Sequence, residues 1–237
     1  MQTIDGAWIE LEVGDGTRMR AWLARPEGRA KAPGLVVFQE AYGVNEHIRE
    51  VCEKFAAEGF VALAPEIFHR TAPRQEFPYS DFPTVKEHMA AMTLEGIEAD
   101  VRATAAWFDR DKQAGGNALG AVGYCMGGRM AYLANTMAPL ACAVSYYGGQ
   151  LHAFADRAQK LHGPQLLIWG GLDAAITWEQ RPVLLDALKE ANKPFIDMVI
   201  SDARHAFNCD ARPDAYSGAA ARQARALTLA FLLEHLG

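Results

Sequence analysis

Residues 118–130 read ALGAVGYCMGGRM, a short apolar run that meets a cysteine, then a pair of glycines, then the start of a helix-length segment. A strand that feeds directly into a helix is the unit from which a parallel sheet is built. The junction is a G-x-C-x-G turn, Gly123-Tyr124-Cys125-Met126-Gly127, the cysteine form of a nucleophile elbow. So sharp a turn strains the backbone at its centre, and the flanking glycines keep neighbouring Cβ atoms clear of it. The Cys125 thiol is thereby pushed into the open at a helix N-terminus, where unpaired N–H groups and the helix dipole favour thiolate. The N–H of Met126 is then ready to donate to an oxyanion. The other reading of the same residues is a buried structural cysteine at a tight strand-helix junction.

The same alternation extends in both directions. GLVVFQE (34–40), GFVALAPE (59–66), ACAVSYYG (141–148), PQLLIWGG (164–171) and PFIDMVI (194–200) are short apolar runs closed by turn or polar residues, as expected of central strands buried on both faces. Helix-length segments separate them: HIREVCEKFAAEG, TVKEHMAAMTLEGIEADVRATAAWFDRD, MGGRMAYLANTMA, TWEQRPVLLDALKEAN and the terminal ARQARALTLAFLLEHL. All but MGGRMAYLANTMA space their apolar residues at three and four. An opening hairpin, TIDGAWIELEV and TRMRAWLARP, turns on Gly-Asp-Gly. The expectation is one α/β domain over residues 1–237, a mainly parallel sheet with helices on both faces and its site beyond the carboxyl ends of the strands. Residues 66–84, EIFHRTAPRQEFPYSDFPT, are rich in proline and aromatics and lack either period; they read as a pocket wall or lid, or equally as an ordered surface loop.

Composition narrows the function. Of 237 residues half are hydrophobic, and 29 acids outweigh 23 bases for a net charge of −6 without a basic cluster, so nucleic acid is not an expected partner. No segment approaches the ~18 uncharged apolar residues that cross a bilayer, and the N-terminus has no signal-peptide pattern, so a soluble cytoplasmic protein is expected. Cys52, Cys125, Cys142 and Cys209 lie far apart, with neither Cys-x-x-Cys nor zinc-finger spacing, which argues against a disulfide framework, a metal or another cofactor.

Two further strand ends carry chemistry. Asp173 follows the run ending in Trp169-Gly170-Gly171, and His205 lies in the loop after the last run. Taken alone, the first is a turn or cap residue and the second a solvated histidine. In the chain order Cys125, Asp173, His205 they supply a nucleophile, an acid and a base, the order of α/β-hydrolases. In that fold the loop after the 34–40 run gives the second oxyanion donor, here the Ala41 N–H. Its neighbour Glu40 would oppose a thiolate by like charge unless it accepts the thiol proton, and its spacing also fits a surface acid that caps the helix beginning near Glu46.

Together QEAYGVNEHIREV, GYCMGG, GGLDAAI and HAF resemble the dienelactone hydrolase family, carboxymethylenebutenolidases of the α/β-hydrolase fold with a Cys-His-Asp triad, over nearly the whole chain. The resemblance implies hydrolysis of an enol lactone or small ester with Cys125 as nucleophile, His205 as base and Asp173 as its orienting acid. It further implies that Glu40 holds the thiol protonated until substrate displaces it, and that Tyr42 and Tyr146 are pocket aromatics. Best-known members bind the dienelactone carboxylate with an arginine four residues after the histidine; Cys209 stands there in this chain, and Ala206 follows the histidine. Arg70, Arg74 and Arg212 are the candidates to replace it. The rival is a ligand-binding or thiol-redox protein on the same scaffold, which would need no oriented base.

Overall fold

The computed structural model describes residues 3–237, which contain eight strands in a mainly parallel sheet. The chain divides at Gly120/Ala121 into two compact units.

In the first unit, β1 (Ile4–Glu12) and β2 (Arg18–Pro26) form the expected antiparallel hairpin, with Trp8 opposite Trp22. At its turn Gly16 has φ +86°, which a side chain would resist, and Asp15 accepts from the Thr17 N–H. β2 runs antiparallel to β4 (Val61–Pro65), and β4 runs parallel to β3 (Gly34–Phe38). Every residue of β3 and β4 is buried, the physical reason for their unbroken apolar sequence. Between them, α1 (Glu46–Ala57) starts where the Asn45 side chain accepts from the Ile48 N–H, and it buries Ile48, Val51, Cys52 and Phe55.

The single long helical segment expected over 84–111 is two helices, α2 (Phe82–Ala90) and α3 (Leu94–Arg110). The Thr93 side chain accepts from the Gly96 N–H and so begins a new helix. Residues 66–81 are turns and irregular backbone.

The second unit orders its strands β5 (Leu119–Tyr124), β6 (Cys142–Tyr146), β7 (Gln165–Gly170) and β8 (Phe195–Ile200), the last three in parallel register. α4 (Met126–Met137) follows β5 without a linker beyond Cys125, and all twelve of its residues are buried. A helix covered on all sides has no polar face, hence its lack of amphipathic spacing. A 3-10 stretch, Leu151–Lys160, follows β6 and had no counterpart in the sequence reading. α5 (Gln180–Glu190) lies between β7 and β8, and α6 (Gly218–Leu236) ends the chain. Cys125, Asp173 and His205 thus follow the carboxyl ends of β5, β7 and β8.

Candidate active site

Cys125 has φ 56° and ψ −116°, a conformation that a residue with a Cβ rarely adopts. The surroundings hold it there. Its N–H donates to the Tyr146 carbonyl at the end of β6 (3.0 Å), while its own carbonyl accepts from the N–H of Gly128 (3.0 Å) and Arg129 (3.4 Å). A Cβ on Gly123 would strike the Gly127 carbonyl oxygen, so this site accepts only glycine before the cysteine. The thiol is half-buried, whereas Cys52, Cys142 and Cys209 are buried; all four cysteines are free.

His205 Nε2 lies 3.1 Å from Cys125 Sγ, and His205 Nδ1 lies 2.7 Å from Asp173 Oδ2. The other carboxylate oxygen of Asp173 accepts from the N–H groups of Ala175 (2.8 Å) and Ile176 (3.1 Å), so the acid is fixed before it meets the imidazole. The Asp173 side chain is 1% exposed and that of His205 24%. Tyr147 lies against the histidine ring at 5.1 Å, and Ala206, the residue after His205, has φ 63°. Burial by itself depresses the His205 pKa, but the Asp173 and Cys125 hydrogen bonds and their negative charges outweigh it, and the ring is pushed up to about 10. The arrangement therefore favours the imidazolium form of His205.

The remaining candidates are disposed as follows. Glu40 is 1% exposed, so it is not the surface acid that its spacing allowed; the α1 cap is Asn45. Its neighbour Gln39 spans the loop, accepting from the Ile67 N–H and donating to the Glu40 carbonyl. Ala41 and Tyr42 are buried, Tyr42 edge-on to Tyr79. Tyr146 is buried with its hydroxyl bonded to Thr228 Oγ1 at 2.7 Å. Arg70 lines a cavity of about 320 Å³ in the first unit, with Phe68, His88 and Met92. Its guanidinium grips both oxygens of Asp100 (2.8 and 2.9 Å) and also Asp15, and so is already matched by two carboxylates. Arg74 is exposed, and Arg212 is half-buried with its N–H on the Cys209 carbonyl. Among the described residues no cluster of three or more His, Cys, Asp or Glu could hold a metal, and no helix is long and apolar enough to cross a membrane. Sequence reasoning missed Arg129, a buried cation in α4 whose Nη1 donates to Gln150 Oε1 at 2.5 Å. Its signal was a lone charge in an otherwise uncharged helix.

A strained strand-to-helix turn after a central strand of a mainly parallel sheet with helices around it defines the class: an α/β-hydrolase fold. The family model described as the dienelactone hydrolase family matches residues 19–236, and the chain belongs to that family. It is 35% identical over 218 residues to "Putative carboxymethylenebutenolidase" of Salmonella typhimurium, covering 86% of this chain and 79% of the relative. With "Carboxymethylenebutenolidase" of Pseudomonas sp. strain P51 it shares 33% over 227 residues, 94% of this chain and 93% of that one. The crystal structure of "Putative Dienelactone Hydrolase" from Klebsiella pneumoniae superposes with a TM-score of 0.87 at 31% identity, covering 96% and 98% of the two chains. The protein is accordingly a hydrolase of esters or lactones.

Proposed function

We propose that the chain opens an enol lactone of the dienelactone kind, or cleaves a small carboxylic ester, through a Cys125-His205-Asp173 triad. The observation that carries this reading is the contact pair at His205, 3.1 Å to the Cys125 sulfur and 2.7 Å to the Asp173 carboxylate. The thiolate forms a bond to the carbonyl carbon, and the carbonyl electron pair moves onto oxygen. The N–H groups of Met126 and Ala41 stabilise that oxyanion. Collapse breaks the ester C–O bond, and His205 gives its proton to the departing oxygen, leaving a thioester. Neutral His205 then takes a proton from water, the hydroxide oxygen attacks the thioester carbon, and the thiolate departs with the acid formed.

In this scheme Glu40 keeps the Cys125 thiol protonated until substrate displaces the carboxylate, which then helps to deprotonate the sulfur, and Tyr42 and Tyr146 contribute aromatic walls. Arg74 and Arg212 remain the cations proposed for an anionic substrate, with Arg70 third because Asp15 and Asp100 already hold it. Four free thiols fit a reducing cytoplasm as the setting. The test is hydrolysis of cis- and trans-dienelactone, neutral lactones and aryl esters by the native chain and Cys125→Ala. The variant is expected to keep its thermal transition and lose at least about a thousandfold in kcat/KM. Turnover within tenfold of native would remove Cys125 from the mechanism.

A further inference from the structure

Two arginines are buried among the described residues, and they differ in having an acid beside them. In the second unit Arg181 donates to Asp197 at 3.0 Å, under the faces of Trp169 and Trp178. Arg129, equally buried at 8% exposure, has only the neutral Gln150 amide and no ion pair among the described residues. A buried charge without a counter-charge is costly, so an arginine retained in that state is expected to have its anion somewhere in the working cycle.

The backbone indicates where that anion is. Arg129 lies one turn into α4, its N–H on the Cys125 carbonyl. Helical side chains lean toward the N-terminus of their helix, so this one reaches back toward the elbow. Gln150, which fixes the guanidinium, follows β6, the strand whose last carbonyl, that of Tyr146, holds the Cys125 N–H. One strand end therefore anchors both the sulfur-bearing turn and the cation. Burial draws the Arg129 pKa below the usual guanidinium value, and the negative charge of Cys125 opposes that shift.

We propose that Arg129 is a positioning residue for Cys125: held by Gln150, it supplies the fixed positive charge that stabilises the thiolate from the helix side, opposite His205. The proposal rests on the reading of Cys125 as nucleophile. Within the second unit His205, from the loop after β8, contacts the sulfur, and Arg129 sits four residues after Cys125 on the same face of α4; Asp173 acts through His205, and Tyr147 lies against its ring. Glu40, the proton acceptor of the proposed mechanism, has the opposite sign and is constant across the variants compared.

The experiment is the pH dependence of Cys125 alkylation by iodoacetamide in the intact chain, with Cys125→Ala as the blank for the three buried thiols. This readout needs no ester turnover, so its failure is distinct from failure of the hydrolase reading. In Arg129→Met the pH at half-maximal alkylation is expected to rise by roughly half to one unit, at the low end for an opposite charge because the guanidinium is not in direct contact. Arg129→Lys should restore most of the shift. Should the methionine variant fold poorly, Arg129→Gln removes the charge while keeping an amide for Gln150, and the same rise is expected. An unchanged midpoint in a folded neutral variant overturns the proposal. If KM for anionic lactones alone rises while the midpoint stays put, the cation serves the substrate instead of the sulfur, and the proposal fails equally.

Discussion

At His205 two negative partners outweigh the cost of burying a charged ring. Because the folded pKa lies above the ordinary value near ~6.5, the favourable interaction is fully present below that pH and is lost as pH rises through about 10. Leaving-group protonation in the proposed mechanism needs the imidazolium, so the alkaline limb of kcat/KM should fall near the same value. Asp173→Asn removes the carboxylate that does most to raise the ring and also leaves the amide able to donate where it should accept. The expected outcome is an alkaline limb moved to lower pH together with a fall in kcat; a profile with unchanged limbs would separate Asp173 from the titration. The sequence made this residue set legible through strand-end position and chain order. It did not make Arg129 legible, since the partner Gln150 is brought near by the end of β6 and not by local spacing. Nor could it give the burial of Glu40, because a polar residue in a turn looks alike whether or not other chain covers it.

Among the elements, β5, Cys125 and α4 decide the most, because the elbow is built with no slack. Gly128 in the first turn of α4 would, with a Cβ, lie 2.6 Å from the Tyr146 carbonyl oxygen and 2.9 Å from Gly148 Cα. Both are backbone atoms of the β6 end and cannot rotate away. Gly128→Ala is therefore expected to cost about 1–3 kcal/mol, the usual penalty for overpacking, in spite of alanine's better helix propensity. Urea unfolding measures this, and a neutral or stabilising result would mean that the β6 end yields easily. The six apolar runs fell on β3 to β8 to within two residues; β3 to β7 are buried on both faces and need no polar alternation, whereas β8, expected to be buried likewise, is the edge strand and leaves Ile196 and Asp197 exposed. The misreadings have equally local causes. α2 and α3 share a continuous apolar period that only the Thr93 cap interrupts. The 3-10 stretch at 151–160 begins from Gln150 in a left-handed conformation and is kinked at Phe154, whose backbone leaves the helical region.

Across the whole molecule, three buried thiols have no part in the proposed chemistry, Cys52 on α1 in the first unit and Cys142 on β6 and Cys209 in the second, and the first two bear on stability. Burial, with the nearby charge of Glu53, pushes the Cys52 thiol up; burial alone pushes Cys142 up to about 12. In the unfolded chain both ionise near ~8.5. Above that pH the native state therefore holds two protons that the unfolded state has released, and stability must fall as pH rises. The slope is about 1.4 kcal/mol per pH unit for each thiol, or about 3 for the two, from pH ~9 upward. Below pH ~10 the buried Tyr132 and Tyr146, whose hydroxyls are also raised, add little, because unfolded tyrosine is still protonated there. Urea midpoints collected between pH 8 and 10 should show this decline. In Cys52→Ala/Cys142→Ala the absolute stability is lower at every pH, but the line should flatten by about 3 kcal/mol per unit. The single variants then report on cooperativity. If the units unfold together, each substitution takes about 1.4 kcal/mol per pH unit off the slope of one common transition, to which His205, raised to about 10, also contributes; if they unfold apart, Cys52→Ala flattens only the transition of the first unit and Cys142→Ala only that of the second. A double variant as steep as the native chain would place the alkaline sensitivity elsewhere.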